Sequence, residues 1–367
     1  MKITLLQENL KQTVNNLKRV VPSKPQLPIL SSFLIEAKDN KITISATDLY
    51  TGMRAQVPGT IEEEGALAVP AQVFTECVQS LGPGNVELIG ESGSLKVISD
   101  TVKATIQCFS NEEYPSFPEK EGDEIQFAWE DFDTIIKLIP FATAKDDARP
   151  VLTSVLFMFS DQLKVVATDG FRLSFMSLDH QSSEELTLLI PGKALQEVHR
   201  IGSREEKKDI RWTFSPQLKQ LFFAVDDVEM VIRLMEGEFP PYQKIMPESF
   251  TTEVVIDPDQ LLASLKGAMV FAREASHIIK FSFDTEQLTI SASSPTLGNH
   301  QSTVPIKLVS GQPNEIAFNV HYLAELIQTA KPKSIKLLMN ESLQPAQFEI
   351  DDNPAFRYIV MPFRVNS

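Results

Sequence analysis

Asp48 and Asp169 are the carboxylates whose surroundings most resemble a prepared site. Each stands in a nearly repeated phrase, "TISATDLYTGMRA" from Thr43 and "VVATDGFRLSFM" from Val165. A positioned carboxylate of this kind is the usual equipment of a general base, and a hydrolase is the chemistry it would serve. The same residues also spell a tight turn. Asp-Gly between alternating apolar residues marks a hairpin, because Gly accepts positive φ and Asp bonds nearby backbone N–H groups. A third copy of the pattern, "HIIKFSFDTEQLTISASSP" from His277, carries Ser294 and Pro295 at that place. The missing Asp weighs against a repeated catalytic role and favours the turn.

Other chemistry is absent from the pattern. His180, His199, His277, His300 and His321 show no HExxH or other metal spacing, and surface or satisfied histidines are expected. Cys77 and Cys108 form no CxxC pair and no disulfide framework, which fits a reducing cytoplasm. No GxGxxG, P-loop or GxSxG motif occurs, and "GPGN" from Gly82 reads as a loop after a helix. No catalytic residue, cofactor or metal is expected. The start, "MKITLLQENLKQTV", turns polar too early for a signal peptide, and no apolar run reaches the roughly 20 residues of a membrane span. The expected localisation is cytoplasmic, without a membrane partner.

The elements that carry the phrase recur as well. "LPILSSFLIEAKDNKITISATD" from Leu27 and "RPVLTSVLFMFSDQLKVVATDG" from Arg149 are both two alternating runs around a polar turn, at Asp39-Asn40 and Asp161-Gln162. The third copy turns at Asp284-Thr285. Helical stretches precede each unit ("ENLKQTVNNLKRVV", "WEDFDTIIKLIPFATAK", "DPDQLLASLKGAMVFARE") and follow each phrase ("VPAQVFTECVQSLG", "IPGKALQEVHRIGS", "FNVHYLAELIQTAKP"). The 367 residues therefore divide into three tandem α+β domains, 1–124, 125–249 and 250–367, each with two helices and antiparallel sheets.

The six helices are locally basic in an acidic chain. Net charge is −15, which taken alone argues against nucleic acid. Yet past their first turns the helices hold Lys11, Lys18, Arg19, Lys137, Lys145, Lys193, Arg200, Lys266, Arg273 and Lys331 against Glu76, Glu197, Glu274 and Glu325. The first-turn acids Glu8, Glu130, Asp131, Asp133, Asp257 and Asp259 read as caps at the positive helix ends. Such helix faces suit phosphate contact without base reading.

The order of "LPILSSFLIEA", "FATAKDDARPVLTSV", "VVATDGFRLS", "EGEFPPYQKIMP" and "YIVMPFRV" resembles the bacterial sliding clamps, the DNA polymerase III β subunit family, along the whole chain. The resemblance implies a non-enzymatic processivity factor: a head-to-tail homodimer whose six domains close a ring, with helices lining the hole around double-stranded DNA. It implies DNA contacts at Lys11, Lys18, Lys24, Lys145, Arg149, Lys193, Arg200, Lys266 and Arg273. It implies a groove for short motifs of the replicative polymerase subunit, the clamp loader, other polymerases and repair proteins. By matched motif its residues are Leu152, Thr168, Gly170, Phe171, Arg172, Leu173, Pro240, Lys244, Ile245, Asn319, Tyr322, Val360, Met361, Pro362, Phe363 and Arg364. Leu173, Ile245, Val360 and Met361 would form an apolar floor, Gly170 would let a peptide approach, and Arg172 and Arg364 would stand at the rim. Phe171 stands where the family commonly has His, and Lys244 where it commonly has Arg. The first copy of the phrase lacks Gly-x-Arg and is expected to keep the fold without the pocket. Dimer contacts are placed at Val73 and Ile106 facing Val270 to Ser276. The competing function is a repeat-built interaction scaffold that does not encircle DNA.

Overall fold

A computed structural model describes residues 1–146, 148–179, 185–203, 209–225, 227–274 and 276–364. Asp147, His180 and the ending Val365-Asn366-Ser367 lie outside them. All six expected helices are present: α1 (Gln7–Leu17), α2 (Ala71–Ser80), α3 (Trp129–Leu138), α4 (Gly192–Gly202), α5 (Pro258–Ala272) and α6 (Val320–Ala330). α1 buries Leu10, Val14 and Leu17 on one stripe, as their spacing of four and three requires. Asp257 caps α5 by accepting from the Gln260 N–H at 2.9 Å. Glu8, Glu130, Asp131 and Asp259 lie in first turns, where the helix dipole favours them. Asp133 is the exception: it lies past the first turn and pairs with Lys137 at 2.6 Å.

The chain forms two compact units. The first comprises 1–132 and 197–234. It holds a five-stranded antiparallel sheet, in order Gly59–Glu63, Lys2–Leu6, Asn85–Glu91, Ser94–Ile98 and Lys103–Gln107. It also holds an eight-stranded sheet that joins the first two repeats: Val228–Arg233 pairs with Thr51–Gln56, with Val231 opposite Gly52. Alternation drives the pleat. Ile42, Ile44 and Ala46 point inward from Lys41–Thr47, and each is 2% exposed or less. Trp212 is fully buried, edge-on to Phe223 at 4.6 Å and to Phe132 at 5.5 Å.

The second unit comprises 133–196 and 235–367, and its twelve strands form one run. Arg172–Asp179 pairs with Phe356–Val360, with Leu173 opposite Ile359. This is the same kind of seam as Thr51–Gln56 on Val228–Arg233: the strand after the phrase joins the last strand of the next repeat. In the third repeat that strand, Gly298–Ser310, pairs on one side only through Pro305, and from Ile306 it turns to Thr252–Ile256. Lys103–Gln107, the last strand of the first repeat, is likewise the edge of its sheet.

The hairpin turns follow the sequence with one shift. Asp39 and Asn40 have φ of 51° and 59°, the left-handed pair that a two-residue hairpin needs. In the second repeat the turn is Ser160-Asp161 and not Asp161-Gln162, because Gln162 already pairs with Asp179.

Candidate functional site

The phrase folds into the same loop twice. In Thr168–Arg172, the Asp169 Oδ1 accepts from the N–H groups of Phe171 (2.9 Å) and Arg172 (3.1 Å), and Thr168 Oγ1 accepts from Gly170 N–H. In Thr47–Thr51, Asp48 Oδ1 accepts from Tyr50 (2.9 Å) and Thr51 (2.6 Å), and Thr47 Oγ1 from Leu49. Gly170 and Leu49 take the left-handed place, at φ 93° and 76°. In the third copy Ser294 Oγ accepts from Thr296 and Leu297. The carboxylates are committed to turning the chain, so a general-base role has no foundation in their geometry.

Around the second loop the chain brings together several of the residues matched to a groove, among them Leu173 with Ile245, Phe171 with Phe363 and Arg172 with Tyr322, but not as expected. Arg172 is 3% exposed and does not stand at a rim. Its Nε meets Asp169 Oδ2 at 3.0 Å, Nη1 meets Glu325 Oε2 at 2.7 Å and Tyr358 OH at 3.3 Å, and Nη2 donates to the Phe141 carbonyl at 2.8 Å. The Tyr322 ring stands 4.7 Å from the guanidinium carbon. Burial opposes the charge, but Tyr358, Glu325 and Asp169 outweigh it and hold Arg172 firmly protonated. Burial likewise pushes the Tyr358 phenol up, so it stays a neutral partner.

Leu173 and Val360, expected as floor, are fully buried beneath the surface, and Leu152 and Thr168 nearly so. The accessible apolar surface comes instead from Phe171, 48% exposed, with half-buried Ile245, Met361, Pro362 and Phe363. Phe171 and Phe363 stack at 6.3 Å, and the Met361 N–H donates to the Phe171 carbonyl at 2.8 Å, fixing the tail against the loop. Pro240, Lys244 and Arg364 are exposed, and Asn319 and Tyr322 are half-buried. Asn319 also caps α6 through the His321 N–H. A side chain at Gly170 would first meet the Arg149 guanidinium, 2.7 Å from its Cβ, rather than open solvent. Arg149, placed with the DNA contacts by resemblance, is exposed and donates to the Asp169 carbonyl at 2.9 Å. Glu325 and Phe141 are members of this cluster that motif matching missed. Both lie in the quoted helical stretches, but nothing in their spacing ties them to Arg172.

The remaining cations are spread over helices and loops. Lys11, Lys193 and Lys266 are exposed on helices, and Lys18 and Arg273 occupy the C-cap positions of α1 and α5, where the dipole favours cations. Lys24 and Lys145 are exposed on loops, Lys145 within 3.4 Å of Glu325. Glu197 is shared by Arg19 and Arg200, each at 2.8 Å, which leaves net positive charge there. An open cleft of about 820 Å³ in the first unit is lined by Lys11, Asn15, Arg19 and Arg200, with Glu8 the acidic member.

Val73 and Val270 are 52% and 55% exposed, unusual for helical valines, and Ser276 is exposed at φ 55°. Ile106 is a correction: at 6% exposure it faces its own core, because strand parity sends Lys103, Thr105 and Gln107 outward. Phe109, 43% exposed just past that strand, is the apolar residue presented instead.

Among the described residues no group of three or more His, Cys, Asp or Glu could hold a metal ion. His199 stacks on Trp129 at 5.6 Å, His300 on Phe271 at 5.7 Å, and His321 Nε2 lies 3.2 Å from His277 Nδ1. Burial, with His277 and Lys145 nearby, lowers the His321 pKa, while Glu325 opposes the shift. Both cysteines are free, and burial raises the Cys77 thiol and pushes Cys108 up to about 11, away from thiolate chemistry. Among the described residues no helix is long and apolar enough to cross a membrane.

Three family models match in succession: the DNA polymerase III beta subunit N-terminal domain over residues 1–118, its central domain over 126–241 and its C-terminal domain over 243–364. A protein named Beta sliding clamp from Chlamydia muridarum is 26% identical over 378 residues, covering 100% of both chains. Another of that name from Synechococcus elongatus is 26% identical over 377 residues, again with 100% coverage of each. The crystal structure of the DNA polymerase III beta subunit from Thermotoga maritima is 28% identical and superposes with a TM-score of 0.92 over 100% of both chains.

Proposed function

The chain belongs to the DNA polymerase III beta subunit family and is a sliding clamp without catalytic chemistry of its own, and we propose that it closes head to tail with a second copy around duplex DNA. One observation carries this proposal. Two seams join successive repeats by pairing the strand after the phrase with a terminal strand, and the parts of a third seam are left open at Gly298–Pro305 and at Lys103–Gln107. A second copy supplies the missing partner to each, which removes both free edges by the rule already used twice within the chain. Phe109 follows Lys103–Gln107 directly, Val73 lies on α2, which packs against that strand, and Val270 lies on α5, which packs against Gly298–Ser310; these three and Ser276 are exposed. The division into domains 1–124, 125–249 and 250–367 and a cytoplasmic setting belong to the same reading.

DNA would be held topologically, so its contacts need to be weak and mobile. Lys11, Lys18, Lys24, Lys145, Lys193, Arg200, Lys266 and Arg273 are the proposed phosphate contacts. Arg149 is better assigned to the Asp169 loop. Free protein should bind duplex DNA weakly, with strong salt dependence and no sequence preference. Changing Lys11, Lys18 and Lys24 to Glu should weaken that binding and flatten its salt dependence by about one unit of log–log slope for each phosphate left unneutralised. Because all three are exposed, the fold should survive, with only a small loss of stability, below about 1 kcal/mol, from the anion placed at the C-cap of α1 by Lys18→Glu. An unchanged salt slope would remove these residues from the DNA surface.

The proposed groove takes a short partner peptide containing Gln and Leu or Phe. Ile245, Met361 and Phe171 would receive its apolar side chains, Leu173, Val360 and Leu152 would support them from beneath, and Lys244 and Arg364 would face its polar groups. Met361→Ala should weaken peptide binding tenfold or more, because full burial of such a side chain contributes on the order of 1.5–3 kcal/mol and about 1.4 kcal/mol is a factor of ten. Titration of a labelled peptide reads this directly. Equal affinity for the variant and the unaltered protein would take the groove away from this surface.

A further inference from the structure

The first copy of the phrase lacks the Gly-x-Arg of the groove, yet the first unit contains a cavity there. Its walls are the loop Thr47–Tyr50, the segment Tyr114–Pro118 and the strand residues Gln220 and Val231. Its volume is about 170 Å³. A cavity of about 150 Å³ is known to admit a benzene ring, so one aromatic or leucine side chain fits.

The construction repeats that of the groove. The loop has the same hydrogen bonds, and its following strand makes the same seam, Gly52 opposite Val231 as Leu173 is opposite Ile359. "EEYPSFPEKE" lines it where "GEFPPYQKIMP" serves the groove. The missing Gly-x-Arg is made good by other residues. Leu49 adopts the left-handed turn without Gly, and Arg54, paired with Glu229, lies 4.6 Å over the Phe117 ring much as Arg172 lies against Tyr322.

One feature points to a ligand. Tyr50 and Leu49 flank the opening at 61% and 44% exposure, high for an aromatic and a leucine. An apolar side chain of an extended peptide seated between them would take both out of water.

We propose that this cavity is a second partner site on each chain, taking one aromatic or leucine side chain of a short extended peptide between Leu49 and Tyr50. The class of ligand rests on the groove reading; the cavity itself does not. Full-length protein titrated with a labelled Gln- and Leu/Phe-containing peptide should show two classes of site per chain. The stronger should weaken at least tenfold in Met361→Ala. The weaker should persist there and fall at least fivefold in Tyr50→Ala. Tyr50 is exposed, so its truncation tests the site without endangering the fold. One site per chain, abolished by Met361→Ala alone, overturns the second site and leaves the groove standing. Binding indifferent to Met361→Ala but lost in Tyr50→Ala upholds the second site and overturns the groove.

Discussion

Replacing Arg172 with Met lowers the stability of the protein by roughly 3–5 kcal/mol, the usual cost of removing one member of a buried ion pair. Met keeps much of the volume and none of the charge. Asp169 and Glu325 then lose the cation placed between them, the Phe141 carbonyl loses a donor, and Tyr322 loses the planar surface it stands on. Asp169 and Glu325 are 16% and 32% exposed at their side chains, so partial rehydration holds the loss toward the lower end. Peptide affinity falls with it, because Tyr322 and the Asp169 loop are walls of the proposed groove. Lys145→Met is the control. Its pair with the same Glu325 is exposed, and such pairs contribute below about 1 kcal/mol. Urea unfolding compares the two at equal m-value. If Arg172→Met unfolds at the same urea concentration as the unaltered protein, Arg172 is not the residue that fixes this loop.

Val270→Asp converts the dimer to monomer at micromolar concentration, and Val73→Asp does the same. Each Val leaves more than half of its surface in water within one chain, although it lies on an otherwise amphipathic helix. In a head-to-tail dimer each residue is used twice, once at each interface, so one substitution damages both. An unpaired carboxylate buried there costs several kcal/mol, and every 1.4 kcal/mol is about tenfold in the dissociation constant. The loss is therefore about a hundredfold or more. Sedimentation of the 41.0 kDa chains reads it directly. Dimers that survive both substitutions would place the interface elsewhere.

Much of this was legible in the sequence, because local rules set it. Alternation at Ile42, Ile44 and Ala46 predicts a half-buried strand. Asp39-Asn40 predicts the hairpin. Three copies of one phrase predict three units. What was not legible depends on residues far apart in the chain. Arg172 looks like a rim residue beside Thr-Asp-Gly, but its burial is decided by Glu325 and Tyr358, 153 and 186 positions away. The cavity beside Leu49 is built by Tyr114, Phe117 and Gln220, which no reading of the phrase alone brings to it. Ile106 is a different lesson. Its inward direction follows from strand parity between Thr105 and Gln107, and matching it to a family position overrode a local signal that was correct.

The central claim is that the protein encloses DNA instead of gripping it. The direct measurement loads it onto a nicked circular duplex, removes free protein, and then cuts the circle once. The account predicts long retention at moderate salt on the closed circle and rapid loss once an end exists, because weak phosphate contacts alone hold nothing. Retention that is the same before and after the cut, or loss from the intact circle at the rate seen on linear DNA, would contradict it.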